Sequence, residues 1–201
     1  MDFVMMPKVL EKVENEEEAN FYEKEELIEF LECAKKEVNF KAYVLFRLLA
    51  FSGFRKGEAL ALTWSDIDFN KNTIRVNKAL ARGKDGLILQ PPKNKKSNRV
   101  VDMDEKTLSI LKEWKSEQKV NLKILSLQNL KKKQLVFNNQ KNEFTQPSKT
   151  TRWLTHIQNK YGLRKITTHG LRHTHCSLCF EAGMSMKEVQ DRLGHKLFKR
   201  R

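Results

Sequence analysis

The chain has 201 residues, of which 39% are hydrophobic and 32% charged, with 8 glycines, 4 prolines, 3 cysteines and a formal net charge of +14. These values exclude fibrous, disordered and disulfide-scaffold proteins and are typical of a helix-rich globular domain. No apolar run approaches the roughly 18 to 20 residues of a membrane span, and the N-terminus lacks a secretory-signal pattern, so we expect a cytoplasmic protein with no membrane partner.

The positive charge is unevenly distributed along the chain. The first 40 residues contain 5 basic and 12 acidic side chains, whereas the rest contain 34 basic and 13 acidic side chains. A body with such an excess attracts polyanions, and a nucleic-acid backbone is the default partner. Residues 1–20 have no apolar period and are rich in glutamate, which indicates a solvated linker.

Helical signals dominate the first part of the chain. An acidic first turn precedes Leu27 and Phe30, which recur at helical spacing. A second helix is predicted over Phe40–Ser52, and Gly53 is its natural end because glycine readily takes the left-handed C-cap conformation. A short helical stretch is predicted at residues 57–62.

The apolar period changes to two between about residues 67 and 103. Alternating segments at residues 73–76, 87–89 and 99–101 are separated by glycines and by a proline pair. This pattern predicts a small three-stranded antiparallel sheet.

Helical patterns return after the sheet, over residues 105–119, 149–160 and 169–181. Asp104 is the predicted N-cap of the first of these helices. Ser185 and Glu188 form the S-x-x-E capping box of a last short helix at residues 186–193. The fold class is therefore α+β, mainly α-helical with one small antiparallel sheet.

Charged residues cluster at three structural corners, residues 53–58, 92–97 and 168–173. In the third, His169 and Arg172 are three residues apart at the start of a helix, so both lie on one face beside unpaired backbone N–H groups. Such a face can bind an anion and contains a titratable group. Taken alone, this pair is better explained by a capping histidine and an arginine that pairs with a surface carboxylate.

Three motifs in a fixed order change that interpretation. They are G-F-R-K-G-E-A-L-A-L-T-W-S-D-I-D at residues 53–68, H-G-L-R-H at residues 169–173 and L-G-H at residues 193–195. From about Phe21 to its end, the chain resembles the catalytic domain of tyrosine recombinases, the phage integrase family. The resemblance implies an integrase-like fold for residues 21–201, incomplete at the C-terminus and preceded by the linker of residues 1–20.

The resemblance also implies which residues carry the chemistry. The five matching catalytic positions are Arg55, Lys93, His169, Arg172 and His195. The hairpin lysine matches best at Lys93, with Lys95 and Lys96 as alternatives. Glu58 and Asp66 are interpreted as orienting or structural partners rather than catalysts.

In this family a tyrosine attacks the scissile phosphate of double-stranded DNA, forms a 3′-phosphotyrosyl link and frees a 5′-hydroxyl that later reverses the step on a partner strand. No metal or cofactor is implied, so fixed cations must neutralise the phosphate. Arginine suits this role because its planar guanidinium can grip two oxygens and stays protonated. The resemblance implies that Lys93 protonates the leaving 5′-oxygen, that His169 assists proton transfer or holds the phosphate, and that His195 hydrogen-bonds a phosphate oxygen.

The nucleophilic tyrosine is the missing element. The resemblance places it about nine residues beyond His195, whereas the chain ends at Arg201. Tyr22, Tyr43 and Tyr161 are interpreted as packing or surface residues. We therefore expect a bacterial or phage-encoded fragment that does not cut DNA by itself, and that is a monomer although its full-length relatives form tetramers on DNA.

Other readings remain open at the sequence level. A non-catalytic DNA-binding module explains the charge but not the ordered motifs, and a type IB topoisomerase shares the chemistry but resembles the first two motifs less. His173, His175, Cys176 and Cys179 suggest zinc. Both cysteines share an apolar helix face, however, and no second ligand pair appears, so buried thiols are favoured.

Overall fold

A computed structural model describes residues 19–37, 40–84, 86–91, 98–125 and 133–194. The described helices are α1 (Lys24–Glu37), α2 (Phe40–Ser52), α3 (Lys56–Leu60), α4 (Glu105–Ile124), α5 (Pro147–Tyr161), α6 (Gly170–Glu181) and α7 (Met186–Leu193). The described strands are β1 (Ile67–Asp68), β2 (Thr73–Val76), β3 (Ala79–Gly83), β4 (Gly86–Gln90) and β5 (Arg99–Asp102). None of these helices is long and apolar enough to cross a bilayer. Most of the predicted linker lies outside the described residues.

Helix α2 forms the centre of the helical body. It packs against α1, α4 and α6, and every residue from Ala42 to Ala50 is buried. A helix that is apolar on all sides is stable only when other elements surround it. Phe30 of α1 meets Phe46 of α2 edge to face, with ring centroids 5.4 Å apart. The end of α2 is therefore held firmly where the first motif begins.

The strands form two separate sheets rather than one. β1, β2 and β5 make a three-stranded antiparallel sheet in which Ile74 pairs with Val101. β4 pairs with β3 in a hairpin that Gly83 and Gly86 close. The predicted small three-stranded sheet is confirmed, but placing residues 87–89 in it was wrong. β4 pairs with β3 rather than joining the three-stranded sheet, because closing a short turn costs less chain entropy than pairing with a distant strand.

The predicted end signals set the observed helix bounds. Gly53 has a φ of 64° directly after α2, and Asp104 accepts a hydrogen bond from a backbone N–H in the first turn of α4. Ser185 and Glu188 form the capping box of α7. These devices stabilise helix ends by satisfying backbone groups that have no partner within the helix.

Helix α4 is longer than the sequence predicts. It ends at Ile124, beyond the expected end near Lys119. The buried face continues through Gln118 and Leu122, so packing extends the helix past the point where the apolar pattern weakens.

Candidate active site

Three of the five predicted site residues come from two places that the fold brings together. Arg55 lies between α2 and α3, whereas His169 directly precedes α6, which carries Arg172. Helix α6 packs against α2, so the two motifs meet. Burial, followed by the charges of nearby cations that include Arg55, lowers the pKa values of both His169 and Arg172.

Arg172 is the buried anchor of the site. Its Nη1 donates to the Gly53 carbonyl, and its Nη2 donates to the Leu193 carbonyl at 2.8 Å. Burial, reinforced by the charge of Arg55, lowers the pKa of Arg172 to about 10, so the guanidinium stays protonated at neutral pH. Arg172 therefore joins the end of α2 to the end of α7, and the alternative of a surface carboxylate partner is wrong.

Gly53 shapes the wall behind Arg172. Its φ of 64° lies in the left-handed region, and an added Cβ would stand 2.5 Å from side-chain carbons of both His175 and Leu193. Only glycine fits this position without displacing α6 or α7. The tight turn aims the Gly53 carbonyl at Arg172.

Glu58 and Arg99 support Arg55 from behind. The Arg55 side chain is 43% exposed, and its Nη1 donates to Glu58 Oε1 at 3.0 Å. Arg99 donates to both carboxylate oxygens of buried Glu58, at 3.2 and 2.9 Å. Burial would raise the pKa of Glu58, but the hydrogen bonds and charges of Arg99 and then Arg55 hold it below its usual value. Glu58 is thus an ionised support that fixes Arg55.

Sequence reasoning missed Arg99. This residue is buried at the start of β5, in phase with inward-facing Val101, and its Nε donates to the Arg192 carbonyl on α7 at 2.7 Å. The alternation of inward and outward positions along β5 could have identified Arg99, because a cation on the inward face of a strand needs a buried partner.

His169 is an exposed residue of the site. Its ring meets that of His173 edge to face, with centroids 4.8 Å apart. Partial burial, then the charges of His173 and Arg172, lower the pKa of His169 below its usual value. The lowered pKa favours the neutral imidazole at pH 7, whose two ring nitrogens can donate one hydrogen bond and accept another.

A third histidine, His175, lies buried behind the site. Its Nδ1 faces the Ala50 carbonyl at 3.0 Å, and Arg192 Nε donates to its Nε2 at 3.0 Å. Because Nε2 accepts, Nδ1 carries the proton. Burial and the charge of Arg192 lower the pKa of His175 to about 4. In the part of the chain that the structure describes, no three His, Cys, Asp or Glu side chains stand close enough to hold a metal ion.

Asp66 of the first motif has a structural setting. Its Oδ2 accepts the Thr63 backbone N–H at 2.9 Å and forms an ion pair with Lys78. Burial would raise the pKa of Asp66, but the hydrogen bonds from Lys78 and Thr63 lower it. Asp66 therefore fixes the turn that leads into β1.

Two predicted catalytic positions fall outside the described residues. These are Lys93, together with its alternatives Lys95 and Lys96, and His195. The description resumes at Asn98, just before β5, and its last residue is Gly194, which ends α7 with a φ of 66°.

The three tyrosines of the chain lie in other settings. The Tyr22 hydroxyl donates to the Arg164 carbonyl at 2.7 Å, and Tyr43 is buried in α2. Tyr161 ends α5, where a hydrogen bond with Glu37 raises its pKa to about 12. Each is explained by packing or by surface contacts, as the sequence predicts.

Comparisons with known proteins identify the family of the chain. The family model described as "Phage integrase family" matches residues 20–199. The chain is 32% identical over 196 residues to "Tyrosine recombinase XerC-like" of Caldanaerobacter subterraneus subsp. tengcongensis, covering 92% of this chain and 49% of that protein. It is 27% identical over 210 residues to the integrase of Staphylococcus phage L54a, covering 94% and 56%. The chain thus spans about half the length of these curated relatives.

Solved structures share the fold. The Tn1549 transposon integrase in complex with a circular intermediate DNA superposes with a TM-score of 0.76 at 22% identity, over 90% of this chain and 60% of that one. The XerH site-specific recombinase bound to its difH substrate gives a TM-score of 0.64 at 28% identity, over 88% and 47%. The predicted integrase-like fold, mainly helical with a small antiparallel sheet, is confirmed.

Proposed function

The chain belongs to the phage integrase family, and we propose that it is the catalytic domain of a site-specific recombinase that breaks and rejoins double-stranded DNA. The observation that carries the proposal is the convergence of Arg55, His169 and Arg172 at one place in a strongly basic chain. The similar proteins include a phage integrase and a transposon integrase in complex with DNA, which supports DNA as the partner.

Arg55 and Arg172 act as the phosphate clamp. A guanidinium has five N–H groups, and the carbonyls of Gly53 and Leu193 each engage one Nη of Arg172. We assign its remaining donors, together with the half-exposed guanidinium of Arg55, to the non-bridging oxygens of the scissile phosphate. Each fixed donor of this kind contributes about 3–4 kcal/mol to transition-state stabilisation.

Three further residues transfer protons or bind the phosphate. Neutral His169 donates a hydrogen bond from one ring nitrogen to a phosphate oxygen. The tyrosine oxygen attacks phosphorus, the bond from phosphorus to the 5′-oxygen breaks, and the tyrosine proton passes to the other ring nitrogen of His169. Lys93 gives its proton to the leaving 5′-oxygen, since an ammonium can lose one when its surroundings lower its pKa. His195, which follows the end of α7, hydrogen-bonds a phosphate oxygen.

The nucleophile and the assembly complete the proposal. We place the tyrosine beyond Arg201, so the 201-residue chain alone binds DNA without cleaving it. The chain alone is a monomer, and the complete protein assembles as a tetramer on paired DNA sites.

A nicked suicide substrate tests the proposal. The complete gene product is incubated with a duplex from its attachment region, nicked so that the short 5′-hydroxyl strand diffuses away after cleavage. We expect a covalent protein–DNA adduct. The variant Arg55→Ala, which removes a half-exposed side chain and not a core residue, should reduce the rate of adduct formation at least about 100-fold. Salt-sensitive binding without any adduct, on DNA verified to contain the site, would instead favour a non-catalytic DNA-binding module.

A further inference from the structure

The segment that leads into α1 lies against the start of α6. We call residues 19–22 the leading segment. Within it, Asn20 Oδ1 accepts the Thr167 backbone N–H at 2.8 Å, and Asn20 Nδ2 donates to Thr167 Oγ1 at 3.2 Å. The two hydrogen bonds hold both the backbone and the side chain of Thr167.

Thr167 in turn supports the first residue of α6. Its Oγ1 accepts the Gly170 N–H at 3.1 Å, and its carbonyl accepts the same N–H at 2.9 Å. The amides at a helix start have no partner within the helix, so such a contact fixes where the helix begins. His169 lies between Thr167 and Gly170, and its position follows from both.

The leading segment packs tightly against α6. A Cβ on Gly170 would stand 2.7 Å from the Asn20 carbonyl oxygen and 2.8 Å from Asn20 Oδ1. One turn further along α6, buried Thr174 Oγ1 accepts the Tyr22 N–H at 2.9 Å and donates to the Gly170 carbonyl at 3.2 Å. A shift of the leading segment is therefore passed to the start of α6.

We propose that Asn20 is a positioning residue for His169, and that the leading segment sets the site geometry through Thr167. This proposal rests on the proposed function, because it assigns His169 to the phosphate. Under this proposal Asn20 acts on His169 through Thr167, so a change in the path of the leading segment alters the position of the start of α6.

Loss of the Asn20 amide should leave the fold intact. Asn20 is exposed, so its partners regain water when it is removed. Arg164 also donates to the carbonyls of Ala19 and Phe21, and the Tyr22 hydroxyl donates to the Arg164 carbonyl. These contacts keep the leading segment attached in an Asn20→Ala variant, whose Tm should stay within about 4 °C of the parent.

A double-mutant cycle on DNA affinity tests the proposal with the 201-residue chain. Asn20→Ala, His169→Ala and the double variant are compared on one duplex from the attachment region at one salt concentration. Asn159→Ala, at an exposed position of α5, is the matched control. We expect Asn20→Ala to weaken binding about threefold to tenfold when His169 is present and to have no effect when His169 is absent.

A spectroscopic measurement accompanies the cycle. The imidazole resonances of His169 should shift in Asn20→Ala and stay unchanged in Asn159→Ala. Equal losses of affinity with and without His169, or unshifted resonances, would overturn the proposal. If His169→Ala itself leaves DNA binding unchanged, the assignment of His169 to the phosphate fails, and the resonances alone decide whether Asn20 positions the ring.

Discussion

Arg99 on β5 donates to both carboxylate oxygens of Glu58 on α3, at 3.2 and 2.9 Å, and both side chains are only 6% exposed. The pair connects the sheet to the helix that supports Arg55. It also reaches α7, because Arg99 Nε donates to the Arg192 carbonyl. We expect this buried ion pair to contribute more to the placement of Arg55 than to net stability, because the desolvation of both charges offsets much of their attraction.

Removing Arg99 tests this support. Arg99→Met keeps most of the volume but removes the cation that donates to both oxygens of the buried Glu58 carboxylate. The free energy of unfolding should fall by about 3–5 kcal/mol in urea denaturation. The double variant Glu58→Gln with Arg99→Met, which has no buried charge at this place, should regain part of the loss. A loss below about 1 kcal/mol for Arg99→Met would contradict the pairing.

Gly53 and Gly162 offer a matched pair of substitutions. Both have φ close to 65°, but an added Cβ meets nothing within 4 Å at Gly162 and stands 2.5 Å from two side chains at Gly53. Gly162→Ala should lower the free energy of unfolding by about 1–2 kcal/mol, from backbone strain alone. Gly53→Ala should lower it by about 1–3 kcal/mol more than Gly162→Ala does, because the added methyl group also overpacks the site. Urea denaturation measures both losses. Equal losses at the two positions would show that the wall behind Arg172 is not tightly packed.

His175 makes stability depend on pH. Its folded pKa of about 4 lies below the unfolded value of about 6.5. Above pH 6.5 the imidazole is neutral in both states. As the pH falls from about 6.5 towards 4, only the unfolded state binds the proton, so the free energy of unfolding falls by up to about 3 kcal/mol.

The variant His175→Gln isolates this contribution. Its free energy of unfolding should be lower at pH 7 but should change less between pH 6.5 and 4 than that of the parent. His156→Gln, at an exposed position of α5, should keep the full slope. The same slope in parent and His175→Gln would assign the pH dependence to other groups.

Local signals predicted much of the fold. The bounds of α2 and α7 follow from Gly53 and from the capping box of Ser185 and Glu188, which act within one helix. The partner of β4 was mispredicted because register depends on competing turns and not on the strand's own pattern. The order of the three motifs indicated the family, which the family match over residues 20–199 confirms.

The supporting contacts of the site could not be predicted in the same way. Glu58 and Arg99 are 41 positions apart, and Asn20 and Thr167 are 147 positions apart. Each pair is brought together only by the packing of elements that are distant in sequence. The sequence showed which cations belong to the motifs, whereas only the fold showed which residues support those cations.

Charge compensation at the scissile phosphate tests the central claim most directly. A suicide duplex is made with either a phosphate or an uncharged methylphosphonate at the cleavage position, and adduct formation by the complete gene product is measured. Arg55→Ala should form little adduct on the phosphate and regain much of it on the methylphosphonate, where no charge needs a cation. Lys36→Ala, an exposed cation of α1, should behave like the parent on both. Equal failure of Arg55→Ala on the two substrates would contradict the phosphate clamp.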